Sequence, residues 1–294
     1  MNWITQNLPY IFAGISVGGQ YALIAIGYTM VYGILRLINF AHGDIFMVAG
    51  VIMVYASATM PMYVSIPLVI LTTVVIGVMI EKVAYKPLRS APRMSIMISA
   101  IGVSYLLQNL ALYITGGLSQ RYPTIPAISK TVTFLGTTTK VVTLVTPVLT
   151  ILLVTMLVLL IKYTKIGIAM RAVSKDFETS QLMGIRINSV ISMTFLIGSF
   201  LAAVGSFLYF TNYTGVTPTA GAMPGLKAFV AAVFGGIGSI PGAVVGAFII
   251  GICENIIKGV GWTTFSDAFT FALLIIILVF KPTGLFGEKS TDKV

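Results

Sequence analysis

Asn39, His42, Gly43 and Asp44 are the residues best placed to do chemistry in this chain. They lie in GILRLINFAHGD (33–44), which puts polar groups and glycine between two apolar runs. Ionisable groups at membrane depth are costly, so they usually face a cavity or a partner. Broken helices at that depth occur where backbone lines a water-filled path or is buried in protein. One reading of the four residues is therefore the lining or gate of a translocation pathway. A second is a helix N-cap, with Asn39 or Asp44 accepting backbone N–H bonds where the next helix starts. A third is a short turn on the cytoplasmic surface. Elsewhere, Glu254 sits inside FIIGICENIIKG and can pair with Lys258 one helical turn on. Arg36 and Lys227 fall near the ends of apolar runs and are expected to snorkel.

The residues exclude as much as they suggest. His42 is the only histidine and Cys253 the only cysteine, so no His- or Cys-based metal site and no internal disulfide can form. No paired carboxylates share a helix, which leaves an intramembrane enzyme without a catalytic set. Only Asp44 and Glu254 are candidate intramembrane carboxylates, too few to favour coupling to protons or sodium.

The stretch Lys162–Asn188, KYTKIGIAMRAVSKDFETSQLMGIRIN, is a second candidate. It gathers Lys162, Lys165, Arg171, Lys175 and Arg186 with Asp176 and Glu178 between two long apolar runs. Ile166, Met170, Val173, Phe177, Gln181 and Gly184 step by three or four, the helical period. Ser174 is placed to cap a second short helix at Lys175–Met183. Asp176 and Glu178 fall in its first turn, where the helix dipole favours anions, and Gly184 ends it. A loop needed only to set topology has no use for two capped helical pieces. The segment reads as a basic docking element outside the bilayer.

These residues need a scaffold, and the composition names its class. Hydrophobic residues make up 57% of the chain, only 9% are charged, and mean hydropathy is +1.00. A soluble domain carries about a quarter charged residues and could not cover its surface with so few. The fold class is all-α: a polytopic membrane bundle of about 8–9 spanning segments. Apolar runs lie at about 9–32, 45–60, 62–84, 95–115, 143–161, 189–212, 226–257 and 264–281, each near the roughly 20 residues a spanning helix needs. The run 226–257 is too long for one span. Its glycines and Pro241 predict a break near Ser239–Gly242 and a hairpin of two shorter helices. Gly14, Gly18, Gly19, Gly198 and Gly205 give small faces for close helix packing. The whole of 1–294 reads as a single integral membrane domain with short loops and no appended soluble domain.

The net charge of +10 does not require nucleic acid. The basic residues gather at Lys82–Arg93, at Lys162–Arg186, and at Lys281, Lys289 and Lys293. Loops rich in Lys and Arg stay on the cytoplasmic side. That rule puts the docking segment and the C-terminus inside and the N-terminus outside. MNWITQNLPY has no basic n-region, so no cleavable signal peptide is expected.

At this point three stretches carry a family resemblance. YALIAIGYTMVYGILRLINFAHGDIFMVAG (21–50), TKIGIAMRAVSKDFETSQLMGIRIN (164–188) and FGGIGSIPGAVVGA (234–247) resemble the inner-membrane permease of branched-chain amino-acid ABC importers. The likeness runs over nearly the whole chain, and INFAHGD is its most specific part. It implies a half-transporter for leucine, isoleucine and valine in the bacterial inner membrane. Its partners would be a second homologous permease, two cytoplasmic ATP-binding subunits and an extracytoplasmic substrate-binding protein. By the same resemblance 164–188 is the cytoplasmic coupling segment, with Arg171, Asp176, Glu178 and Gly184 at the ATPase contact. The Glu-Ala-Ala start of the general importer motif is absent; Asp176, Glu178 and Thr179 stand in that region. No Gly-x-x-x-x-Gly-Lys-Ser/Thr phosphate loop occurs, the nearest text being Gly287-Glu288-Lys289-Ser290. ATP is thus expected on partner subunits, with no cofactor on this chain. The alternatives are the same architecture carrying urea, short amides or other amino acids, and an ion-coupled secondary transporter.

Overall fold

A computed structural model describes residues 3–287, apart from Ser90 and Leu135. Lys289, Lys293 and the Glu288–Ser290 text lie outside the described residues. In chain order the helices are α1 (Trp3–Leu35), α2 (His42–Thr59), α3 (Met62–Ile80), α4 (Arg93–Thr115), α5 (Pro126–Ser129) and α6 (Val141–Tyr163). Then come α7 (Lys165–Lys175), α8 (Phe177–Leu182), α9 (Ile187–Asn212), α10 (Ala222–Gly235), α11 (Ile240–Gly259) and α12 (Ser266–Phe280). Among the described residues, eight helical stretches are long and apolar enough to cross a membrane. The chain is a polytopic helical membrane protein.

α1 is the axis of the bundle. It packs against α6, α9, α10 and α11, and from Ala22 to Ile26 it is fully buried. Small residues let the backbones touch. A Cβ built on Gly14 would lie 2.8 Å from the Ile252 Cα, and one on Gly18 would lie 2.8 Å from the Phe248 Cα. Gly19 meets Thr150 of α6, while Gly198 and Gly205 of α9 meet Gly27 and Leu23 of α1. The small faces legible in the sequence are thus helix–helix seams. α4, α6 and α12 stand at the periphery and expose Ile98, Leu106, Val148, Leu152, Ile276 and Val279. Such residues suit contact with lipid chains or another apolar surface, not with water.

The run 226–257 is broken, slightly earlier than expected. α10 ends at Gly235, and Gly236 (φ +109°) and Gly238 (φ +100°) carry the turn in conformations that side chains rarely adopt. Ser239 caps α11 by accepting from the Gly242 N–H at 3.2 Å. Gly235 faces Gly242 and Ala231 faces Gly246, so α10 and α11 run antiparallel. α10 has 14 residues, about 21 Å of helix against roughly 30 Å of hydrocarbon. It is therefore a partial span.

The connections carry small strands that the all-α reading does not anticipate. β1 (Gln120–Arg121) pairs antiparallel with β4 (Gly215–Val216), and β2 (Thr131–Phe134) forms a hairpin with β3 (Thr137–Lys140). The first pair ties the 116–142 loop to the chain that leaves α9.

Candidate functional site

α1 ends at Leu35, and Arg36, which follows it, is the one non-glycine residue with positive φ (55°) among those described. The chain then turns back into the bundle, and α2 starts at His42. Asn39, His42, Gly43 and Asp44 are all buried. Their depth follows from their neighbours. His42 lies against Gly27 of α1 and Gly198 of α9. Asp44 accepts hydrogen bonds from Ser104 Oγ and, at 2.9 Å, from Gln108 Nε2 of α4. Ser104 and Gly198 are near the middles of their helices, so α2 begins deep within the bundle. A surface turn is ruled out.

The N-cap reading fails as well. Ala41 occupies the cap position and no side chain caps α2. Asn39 uses its Oδ1 to accept from the Tyr85 hydroxyl at 2.8 Å. Asp44 is turned sideways to α4. Their polar atoms are engaged by other helices, which is why the local cap is not made. Asn39 Nδ2 and His42 Nε2 meet no hydrogen-bond partner among the described residues. The His42 ring stands edge-on to Tyr28 at 5.2 Å.

Glycines seat this first turn on three sides. A Cβ on Gly27 would fall 2.0 Å from His42 Nε2. A Cβ on Gly43 would fall 2.8 Å from the Gly221 carbonyl oxygen and 3.0 Å from the Gly225 Cα at the start of α10. Two interrupted helices, α2 and α10, thus meet backbone to backbone at their N-terminal ends.

The 164–188 segment consists of α7 and α8, two helical pieces as expected, but the caps differ. Thr164 caps α7 by accepting from the Gly167 N–H at 3.1 Å. Asp176, not Ser174, caps α8 by accepting from the Thr179 N–H at 3.0 Å. Ser174 instead donates to the Arg171 carbonyl. The second helix therefore runs Phe177–Leu182, shorter than the expected Lys175–Met183. Gly184 has φ +82° and ends the piece, and a Cβ there would touch nothing within 4 Å. Arg171, Asp176, Glu178 and Gly184 are all on the surface. Arg171 also donates to the Lys162 carbonyl at 3.1 Å, closing the end of α6. Met170 and Val173 are buried, while Leu182 and Met183 are largely exposed.

The two candidate sites are joined. Arg36 donates from its guanidinium to the Ser174 carbonyl at the end of α7, at 3.3 Å, and α7 packs on α1 and α9. Nothing in the spacing of residues links them; by its position near a span end Arg36 is expected to snorkel. Behind them lies a second network. α3 continues through a π-helical turn, Glu81–Tyr85, which turns Tyr85 to Asn39 and Glu81 to Arg89. Glu81 also accepts from Ser192 at 2.8 Å, and Arg89 reaches Asn188. Glu81, Tyr85, Ser104 and Gln108 are functional candidates that sequence reasoning misses. Ser104 and Gln108 have a weak signal, being polar residues four apart, one helical turn, on a largely apolar helix. Glu81 reads in sequence as the start of a basic loop.

Lys227 overturns an expectation. It is buried and bonded to Glu254 at 2.8 Å and to Asp267 at 2.6 Å, so it does not snorkel. The Glu254–Lys258 pair forms as foreseen, at 2.6 Å.

Comparison with known proteins bears on what this arrangement belongs to. The family described as branched-chain amino acid transport system / permease component matches residues 10–278. The high-affinity branched-chain amino acid transport system permease protein BraD of Pseudomonas aeruginosa is 39% identical, covering 99% of each chain. The protein LivH of Escherichia coli K12, described in the same words, is 37% identical over 98% of this chain and 97% of its own. A probable branched-chain amino acid transport permease protein LivH of Methanocaldococcus jannaschii is 28% identical over 90% of this chain and 88% of its own. The chain belongs to the branched-chain amino acid transport permease family.

Proposed function

We propose that this chain is the permease subunit of an ATP-driven importer that carries leucine, isoleucine and valine across the bacterial inner membrane. It would pair with a second related permease, bind two cytoplasmic ATP-binding subunits, and take solute from an extracytoplasmic binding protein. Basic residues at Lys82–Arg89 and Lys162–Arg186 favour a cytoplasmic position for α7 and α8, with the N-terminus outside. One observation carries the reading. The exposed, doubly capped α7–α8 segment is bonded through Arg36 to the break at Asn39–Asp44. A partner that moves α7 would move the buried start of α2 with it. In this scheme Arg171, Asp176, Glu178 and Gly184 face the ATPase, and Arg171 also holds α7 on α6. Asn39, His42, Gly43 and Asp44 form the gate. ATP hydrolysis belongs to the partner subunits.

The experiment is reconstitution. Tagged chain is recovered with its bound subunits and placed in proteoliposomes. ATP-dependent uptake of labelled leucine, competed by isoleucine and valine, is the expected result. Uptake driven by a proton or sodium gradient without ATP would establish a secondary transporter instead. Uptake of urea or short amides in place of leucine would keep the architecture and replace the solute.

A further inference from the structure

Lys227 of α10, Glu254 and Lys258 of α11 and Asp267 of α12 form a chain of alternating charge. Lys258 Nζ meets Glu254 Oε1 at 2.6 Å, Lys227 Nζ meets the same oxygen at 2.8 Å, and Lys227 also meets Asp267 Oδ1 at 2.6 Å. Tyr21 of α1 donates to Glu254 Oε2 at 3.1 Å. The inner pair, Lys227 and Glu254, is almost fully buried, with side chains 7% and 1% exposed. The outer pair is not: Lys258 is 31% and Asp267 46% exposed. All four line a cavity of about 280 Å³, together with Tyr209, Tyr213 and Met223. Burial first, and Glu254 second, raise the Tyr213 phenol above its ordinary range, so it remains a neutral donor.

An ion network that only fastened helices together would be closed and tightly packed. This one leaves an ammonium and a carboxylate with bonding capacity at the two ends of the series, both at a cavity. Its formal charge is zero. A lone cation or anion would leave one end uncompensated in a partly desolvated place, which is unfavourable. A zwitterion compensates both. We propose that this cavity holds the head group of a free α-amino acid, its carboxylate on Lys258 and its ammonium on Asp267. Lys227 and Glu254 set the spacing of that outer pair. The apolar side chain rests on Met223 and Tyr209. The volume sits near the lower end of the roughly 300–1,000 Å³ typical of small-molecule sites. The inference takes the choice of an amino acid from the proposed function and adds where the solute is held.

Trp262 adjoins Thr263, another lining residue, and the only other tryptophan is Trp3. In a Trp3→Phe background the full-length chain alone in detergent micelles holds Trp262 as its sole tryptophan, and its fluorescence reports the cavity. Leucine should give a saturable change. Asp267→Asn and Lys258→Gln should each weaken it roughly tenfold or more, the loss of one charge-assisted bond. 4-Methylpentanoate, which lacks the ammonium, and 3-methylbutylamine, which lacks the carboxylate, should compete at least about tenfold more weakly than leucine. Both substituted residues are partly exposed, so a melting temperature like that of the parent certifies the fold. No saturable response to leucine, unchanged titrations in both variants, or analogues that match leucine would each overturn the proposal. Leucine uptake by the same variant, with its bound subunits in proteoliposomes, is measured in parallel. Intact uptake with an unresponsive cavity defeats this inference alone. A leucine response without ATP-driven uptake defeats the proposed function and leaves the site.

Discussion

The seat of His42 can be tested by a substitution that should fail alone and succeed in company. Gly27 lies directly under the His42 ring; an added Cβ would fall 2.0 Å from Nε2, 2.4 Å from Cε1 and 2.9 Å from Cδ2. The ring is buried and held edge-on to Tyr28, so it cannot swing aside freely. Overpacking of this kind costs about 1–3 kcal/mol. Alanine gains back up to about 1 kcal/mol over glycine inside a helix. With the full gain of about 1 kcal/mol subtracted, Gly27→Ala should therefore destabilise by up to about 2 kcal/mol. His42→Ala deletes a buried ring and opens a cavity, at about 2–4 kcal/mol, reduced because an unpaired buried nitrogen goes with it. In the double variant the methyl introduced at position 27 occupies part of the vacated space and the clash is gone. The double should then be more stable than the sum of the singles by about 1–2 kcal/mol. Thermal or denaturant unfolding of the full chain in micelles supplies the cycle. Distant, independent sites add to within about 0.5 kcal/mol. Additivity at that level would refute the placement of α2's first turn on α1.

Three other variants probe the link between the two sites. Gly184→Val meets no neighbour but must hold φ +82°, at about 1–2 kcal/mol; expression should be little changed and ATP-driven uptake lost, and normal uptake would remove the docking role. Arg36→Gly relieves the positive φ while deleting the bond to Ser174, two effects of about 1 kcal/mol that oppose each other. Its melting temperature should barely move, while ATP hydrolysed per solute carried rises; an unchanged ratio counts against this route of coupling. Asp44→Asn keeps the side-chain shape but turns one acceptor into a donor facing Ser104 or Gln108. Uptake or basal ATP hydrolysis should change several-fold for a melting shift of a few degrees, the equivalent of about 1–2 kcal/mol. A pure loss of stability would make the residue structural.

Periodicity and composition carried the spans, the break in 226–257 and the two helical pieces of 164–188, because each is written in consecutive residues. What could not be read is what depends on partners far along the chain. Asn39 and Asp44 have the side chains of helix caps, and nothing local says that Tyr85, Ser104 and Gln108 will engage them first. Ser174 and Asp176 are both good caps two residues apart, and the choice between them turns on where α7 stops. Lys227 resembles a snorkelling residue because its partners, Glu254 and Asp267, lie 27 and 40 positions away. The short strands at Gln120 and Gly215 are two residues each, below what alternation can reveal.

The geometry also bears on which part of the bundle can have two states. Coupling between distant sites needs an element with two discrete arrangements that both sites bias. The seams of α1 with α11 are poor candidates: glycine backbones in contact at Gly14 and Gly18 leave no alternative register without a clash. The start of α2 is held differently: by side-chain bonds to α4 and to the π-helical end of α3, beside its glycine contact with the short helix α10. Side-chain bonds can be exchanged for others without moving a backbone seam, so the break is the better candidate for a second arrangement. Arg36 ties that element to α7.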